Sequence, residues 1–180
     1  MNTLIIHPYD ESTAELEKVY ANKPVDVIHR RNVSREDVEN ALHDGNYDRV
    51  ILLGHGTPEG LVNMWTGEYV FDPEMYQSSV IPRKMEVVAI WCNANLFFLK
   101  WDEPFSVFST GMFISEVREA RDYSLYEADE EVIRKQFELF SEVLSTAAYL
   151  PIAEIRDYID LNYTGQDEVT RFNREQMLLY

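Results

Sequence analysis

A histidine and a cysteine follow two apolar segments of the chain, and together these residue types can carry out acyl transfer. His55 comes after the segment RVILLG and Cys92 comes after EVVAIW, 37 positions further on. A thiol with a pKa of about 8.5 is only slightly ionised at neutral pH. A neighbouring imidazole can take the thiol proton and later protonate a leaving amine. We therefore interpret His55 and Cys92 as a candidate catalytic pair.

Backbone N–H groups beside this pair are candidates for binding the oxyanion that forms during acyl transfer. Gly56 follows the histidine and has no side chain to shield its amide. The amide of Cys92 itself stands at the end of the second apolar segment. Preorganised donors of this kind stabilise developing negative charge. We predict an oxyanion hole formed by Gly56 and Cys92.

Strands of a parallel sheet are expected to position these residues. Arg49 to Leu53 and Glu86 to Trp91 are nearly continuous apolar runs, which is typical of strands buried on both faces. Shorter strands are predicted at three further places: Thr3 to His7, Val25 to His29 and Phe105 to Ser109. Ligands of open α/β sheets bind beyond the carboxyl ends of the strands, where His55 and Cys92 both lie.

Helical patterns alternate with these strands. The run Ser12-Thr13-Ala14-Glu15 reads as a capping box that opens a helix toward Tyr20, and Ser34 opens another helix. A longer helix is predicted from about Asp129 to Tyr149, and Pro151 begins a further one. The alternation predicts an α/β fold, with a mostly parallel sheet, helices on both faces and additional C-terminal helices.

The length of the chain suits a single domain covering residues 1–180. We expect its core to span about residues 1–128 and a C-terminal helical part to span about 129–180. Within the core, Leu61 to Phe71 predicts a small hairpin or an extended excursion around Thr66-Gly67. The helices after Asp129 either cover the sheet or supply the face of a homodimer, and their periodicity does not decide between the two.

The two strand ends resemble those of the caspase-like cysteine peptidases. ILLGHGTPEGL and VVAIWCNAN are similar to the segments in which this clan, which includes caspases, metacaspases, clostripain, gingipains and separase, carries its His-Gly and its nucleophilic Cys. The resemblance implies a three-layer caspase-like sandwich and an endopeptidase that works through a thioester intermediate. It implies His55 as acid and base, Cys92 as nucleophile, Gly56 as oxyanion donor and Gly60 in the loop after the histidine.

The chain departs from the family pattern at two positions. Ile90 stands where many members carry a polar or acidic residue that shapes the specificity pocket, so no acidic or basic preference carries over. Ala94 replaces a glycine found two places after the cysteine in many members. We expect Gly60 and Ile90, and Ser109 and Thr110 at the end of the fifth strand, to contact substrate.

Composition limits the partners of the chain. The formal net charge of -16 repels the phosphates of nucleic acids and anionic lipid surfaces. A single cysteine cannot form an intramolecular disulfide, which fits a reducing cytoplasm. No apolar run is long enough to cross a membrane, and the N-terminus lacks a basic segment typical of a signal peptide. We expect a peptide or protein substrate and no cofactor.

Two other functions remain open at this point. The chain is alternatively a non-catalytic caspase-like module for binding or regulation, as the apolar Ile90 and the Ala94 replacement suggest. A third hypothesis is a zinc-dependent hydrolase that uses His7, His55 and Cys92, with Asp10 nearby. Trp65 and Trp101 are candidates for lining a substrate cleft.

Overall fold

The strands of the protein form one large and one small sheet. The computed structural model describes residues 1–77, 85–100 and 106–179. The strands within those residues are β1 Thr3–Ile6, β2 Asp26–Ile28, β3 Arg49–Leu53, β4 His55–Thr57, β5 Gly60–Asn63, β6 Glu68–Phe71, β7 Glu86–Ile90, β8 Val107–Thr110 and β9 Met177–Leu179. The large sheet has the order β2-β1-β3-β7-β8-β9, and β4-β5-β6 form the small one.

The large sheet is mostly parallel, as the apolar runs predict. β1 pairs in parallel with β2 and β3, β3 pairs with β7, and β7 pairs with β8. Every residue of β3 is buried, which is typical of a strand covered on both faces. β8 begins at Val107, and Phe105, where that strand is predicted to begin, lies outside the described residues. β9 pairs antiparallel with β8 and is not predicted, because a three-residue apolar run has no readable period.

The small sheet contains the predicted hairpin and is larger than expected. β5 and β6 pair antiparallel, and Gly67 adopts a φ of 73° in the turn that joins them. β4 adds a third strand on the other side of β5. Gly54 separates β3 from β4 with a φ of 134°, a conformation that glycine adopts without strain. The chain therefore leaves the large sheet directly before His55.

The helices follow the predicted pattern with one correction. The α-helices of the described residues are α1 Arg35–Asp44, α2 Pro73–Gln77, α3 Ala94–Phe98, α4 Val117–Asp122, α5 Glu130–Ala147, α6 Ile152–Asn162 and α7 Glu168–Glu175. The helix predicted toward Tyr20 is a 3₁₀ helix, Glu11–Val19, and Asp10 caps it in place of Ser12. None of the helices in the described ranges has both the length and the apolar character of a membrane span.

Helices cover both faces of the large sheet, because successive strand residues point to opposite sides. Leu52 packs in a buried cluster with residues of α1 and α3 and of the small sheet. Its neighbour Ile51 packs in a second cluster with the 3₁₀ helix, α5 and α6. A third, smaller cluster joins α4, α5 and α7. The α/β layering predicted from the sequence is confirmed.

A buried arginine ties β3 to the end of the longest helix. The side chain of Arg49 is 1% exposed and forms an ion pair with Glu86 on the neighbouring strand β7. Its guanidinium also donates to the carbonyl oxygens of Ala148, at 2.5 Å, and Leu150, at 2.7 Å. These carbonyls follow the last turn of α5 and have no partner within the helix itself, so Arg49 supplies the bonds that they need.

Candidate functional site

His55 and Cys92 lie at the same edge of the large sheet. β3 and β7 are neighbours in a parallel register that pairs Leu53 with Ile90, and each candidate residue follows its strand by two positions. Neighbouring strands lie about 4.8 Å apart. Both residues line one small cavity of about 30 Å³. That volume holds about one water molecule, so a peptide side chain does not fit inside the cavity.

The imidazole of His55 is bonded to the loop that follows β1. Its Nε2 lies 2.7 Å from the hydroxyl oxygen of Ser12 and 3.4 Å from Oδ1 of Asp10. The Ser12 hydroxyl in turn donates to the same Asp10 oxygen at 2.5 Å, and the Ser12 amide donates to it at 3.0 Å. These contacts hold one edge of the imidazole at the rim of the cavity.

The thiol of Cys92 faces a different segment, the loop and helix that follow β8. Its S–H donates to the carbonyl oxygen of Phe113 at 3.5 Å, and Oε1 of Glu119 lies 4.0 Å from the sulfur. The other oxygen of Glu119 accepts hydrogen bonds from the backbone N–H groups of Ser115 and Glu116, at 2.8 Å and 3.0 Å. Glu119 is therefore fixed beside the thiol by the cap of its own helix, α4.

This environment keeps the thiol protonated. Burial of the thiol is the largest cause, and the negative charge of Glu119 adds to it, so that the pKa of Cys92 rises to about 11. An activated nucleophilic cysteine has a pKa below the ordinary value. His55 and Cys92 thus share a cavity, while each side chain is bonded to a different segment of the chain.

The segment that contacts the thiol is itself held by the C-terminal part of the chain. Asn173 on α7 is fully buried; its side-chain amide accepts from the N–H of Ile114 at 2.8 Å and donates to the carbonyl of Ile114 at 3.1 Å. The N–H of Gly111 donates to the carbonyl of Gln176 at 2.7 Å. Residues 111–119 are therefore joined to α7 and β9 as well as to Cys92.

The two predicted oxyanion donors have different surroundings. The Cys92 amide donates no hydrogen bond within the described residues. Gly56 lies against the indole of Trp91, so that a Cβ built there would be 2.1 Å from an indole carbon and 2.6 Å from the carbonyl oxygen of Gly60. The Trp91 indole N–H also donates to the Thr57 carbonyl at 3.1 Å. Close packing thus requires glycine at position 56.

The residues expected to contact substrate are mostly buried. Ile90 lines the cavity and is 4% exposed. Gly60 begins β5 with a φ of 142°, and a Cβ there would be 2.0 Å from the carbonyl oxygen of Phe71. Ser109 and Thr110 are fully buried, and the Thr110 hydroxyl donates to the carbonyl of Trp91. The Thr110 hydroxyl therefore supports the segment that follows β7, the Ser109 hydroxyl oxygen is buried without a hydrogen-bond partner among the described residues, and neither side chain lines the cavity.

His7 is unsuited to the zinc site considered above. It is fully buried, and its two ring nitrogens are bonded to the hydroxyls of Tyr20, at 3.0 Å, and Thr13, at 3.1 Å. Burial is the main cause that lowers the pKa of His7 to about 3. Within the described ranges, no three His, Cys, Asp or Glu side chains are grouped as metal ligands. The zinc hypothesis therefore has no ligand set in this part of the chain.

A larger groove adjoins the cavity. It has a volume of about 470 Å³ and shares Ser115 and Phe137 with the cavity. Trp65, a candidate for lining a cleft, does not line either space; it is 54% exposed and stacks on the guanidinium of Arg31 at 4.2 Å. Trp101, the second such candidate, lies outside the described residues.

Two site residues, Ser12 and Glu119, are missed by the sequence analysis, and Asp10 is named there only beside the hypothetical zinc site. Asp10 and Ser12 contact His55, and Glu119 contacts Cys92. Asp10 and Ser12 follow β1, which is the neighbour of β3 in the sheet. Knowledge of this strand order would have placed their loop at the same edge as His55. Glu119 lies 27 positions after Cys92 on a short helix, and no local pattern identifies it.

The chain matches no protein-family model and has no significant match among curated proteins.

Proposed function

We propose that the protein is a cysteine-dependent hydrolase, an endopeptidase with a caspase-like sandwich, and that His55 and Cys92 form its catalytic pair. The observation that carries the proposal is the parallel register of β3 and β7, from which both residues emerge at equivalent positions into one cavity. The mostly parallel sheet with helices on both faces is consistent with the clan that ILLGHGTPEGL and VVAIWCNAN resemble.

The proposed reaction begins when the thiol leaves Phe113 and Glu119 and meets His55. His55 takes the thiol proton, and the sulfur attacks the carbonyl carbon of the scissile peptide bond. The amides of Gly56 and Cys92 bind the oxyanion of the tetrahedral intermediate. His55 then protonates the leaving amine, the C–N bond breaks, and a thioester remains. Attack by water on the thioester releases the acid and restores the thiol.

Peptide-library hydrolysis, followed by mass spectrometry, tests this proposal. The assay includes wild type and Glu119→Gln, because removal of the neighbouring carboxylate releases the thiol from its resting contact. We expect cleavage that is abolished by Cys92→Ser and by His55→Ala. His43→Ala is the matched control, since the His43 side chain is 80% exposed and remote from the cavity. Cleavage that persists in Cys92→Ser refutes the proposal.

A non-catalytic module is the second candidate, and the resting thiol favours it. A pKa of about 11 and a cavity of about 30 Å³ are what a buried structural cysteine has. In that case Cys92→Ala would keep the biological activity and the fold of the protein. The same variant removes all activity if the protein is a hydrolase, so the two candidates give opposite results.

A further inference from the structure

An acidic residue, a serine and a histidine form a continuous chain of hydrogen bonds at the candidate site. They are Asp10, Ser12 and His55, and their side chains are joined at 2.5 Å and 2.7 Å. Asp10 and Ser12 follow β1, His55 follows β3, and Cys92 follows β7. Because β1, β3 and β7 are consecutive strands of the sheet, the acid, the base and the proposed nucleophile stand in that order along one edge.

The number of hydrogens available to this series of hydrogen bonds determines which nitrogen of His55 is protonated. A serine hydroxyl has one hydrogen to donate. The Asp10 carboxylate accepts from both the amide and the hydroxyl of Ser12, and these bonds, together with His55, hold the pKa of Asp10 below its ordinary value despite the opposing effect of burial. With its hydrogen directed at Asp10, the Ser12 oxygen must accept from Nε2–H of His55.

We infer that Asp10 and Ser12 are positioning residues that hold neutral His55 in its Nε2–H tautomer and leave Nδ1 to accept the Cys92 proton. The ionised carboxylate also stabilises the imidazolium that forms after that transfer, as the acid of a catalytic triad does. The inference rests on the proposed hydrolase function. It adds a third component, acting through a serine, to the pair predicted from the sequence.

Asp10 also has a structural role that the test must separate from the positioning role. Its carboxylate caps the 3₁₀ helix by accepting from the Ser12 amide. Asp10→Asn retains a good capping side chain and removes the charge. Ser12→Ala keeps the amide that Asp10 caps and removes only the hydroxyl, and Ser12→Thr restores a hydroxyl. Asp10→Asn and Ser12→Ala change the hydrogen bonds that lead to His55, Ser12→Thr keeps a hydroxyl for them, and all three variants leave the helix cap in place.

Imidazole NMR measures the tautomer directly. Two-bond ¹H–¹⁵N correlation spectra distinguish protonated from unprotonated ring nitrogens, and His55→Ala identifies the signal among the four histidines of the chain. We expect the Nε2–H form in wild type and in Ser12→Thr, and its loss as the single form in Ser12→Ala. Ser145→Ala, which removes an exposed hydroxyl on α5, is the control and should leave the spectrum unchanged. A wild-type Nδ1–H form, or a Ser12→Ala spectrum identical to wild type, overturns the inference.

Kinetics give a second readout. In triad hydrolases an incorrect tautomer lowers kcat by a factor of about 10⁴. The Asp10 carboxyl is 27% exposed and acts through a hydroxyl, so we expect kcat to fall less than this, but at least about tenfold, in Asp10→Asn and Ser12→Ala. KM should be unchanged, Ser12→Thr should recover activity, and the charge control Glu36→Gln on α1 should have no effect. Hydrolysis that depends on Cys92 and is unchanged in Ser12→Ala overturns this inference and leaves the proposed hydrolase function standing. Absence of hydrolysis in every variant refutes the proposed function and the catalytic part of the inference, whereas the imidazole spectra still test whether Asp10 and Ser12 hold His55 in one tautomer.

Discussion

Replacing Glu119 by Gln should make the Cys92 thiol more reactive. The carboxylate lies 4.0 Å from the sulfur and disfavours the thiolate. Glutamine at this position also serves in a capping box, so the bonds to Ser115 and Glu116 can be kept. The variant therefore removes a charge beside the thiol while leaving the local backbone as it is.

The structure gives the size of the effect. At pH 8 a thiol with a pKa of about 11 is about one part in a thousand thiolate, against about a quarter for an ordinary cysteine of pKa about 8.5. The higher nucleophilicity of the more basic thiolate recovers about tenfold of this loss, so wild-type Cys92 should react about twentyfold more slowly than a free cysteine. A charge 4 Å away is worth about 1 kcal/mol in water, and a value near this applies here because burial, and not Glu119, is the largest cause of the raised pKa of Cys92. After the same correction for nucleophilicity, Glu119→Gln should react about twofold faster than wild type.

The assay is alkylation with iodoacetamide between pH 7 and pH 11, and mass spectrometry of the one cysteine gives an unambiguous reading. The wild-type rate should rise about tenfold per pH unit up to about pH 10. Glu36→Gln should match wild type. A wild-type rate that levels off below pH 9, or a Glu119→Gln rate equal to wild type in a folded protein, would refute the reasoning.

Three further predictions concern stability. Histidine has a pKa of about 6.5 in the unfolded chain, whereas His7 has a pKa of about 3 in the folded protein, so the unfolded state binds more protons in acid. Through this residue, the free energy of unfolding should fall by about 2 kcal/mol from pH 7 to pH 5. Urea titrations of His7→Gln should show a smaller fall. Gly56→Ala, whose Cβ meets Trp91 and a backbone oxygen, should lose about 1–3 kcal/mol and a matching part of its Tm; an unchanged Tm would contradict the packing argument. Arg49→Leu leaves Glu86 unpaired and two carbonyls unbonded, so it should lose about 3–5 kcal/mol by chemical denaturation, whereas a loss below about 1 kcal/mol would show that the buried ion pair is dispensable.

The parallel sheet and the placement of His55 and Cys92 at one of its edges could be predicted because both depend on strong local signals. Two continuous apolar runs identify β3 and β7, and a strand–helix alternation requires them to be parallel. Residues that follow parallel neighbours then arrive at one edge. The prediction needed no knowledge of side-chain packing.

The contacts of the site were beyond the reach of such patterns. Whether Glu11–Val19 forms a 3₁₀ or an α-helix depends on how it packs against α5, and periodicity does not distinguish the two. Glu119 reaches Cys92 only because the loop after β8 turns back across the strand ends. The partner that decides the state of the thiol is therefore set by tertiary packing, which also decides that Ser109 and Thr110 are buried.

The amide of Asn173 has a consequence for how often the Cys92 thiol is uncovered. By bonding both backbone groups of Ile114, it couples the segment over the thiol to α7, so that segment cannot fray residue by residue. Uncovering the thiol is then a cooperative event whose frequency follows the local stability of the C-terminal elements. Substitutions in α7, some 80 positions away from Cys92 in the chain, would change how often the thiol is uncovered without changing the side chains that contact it.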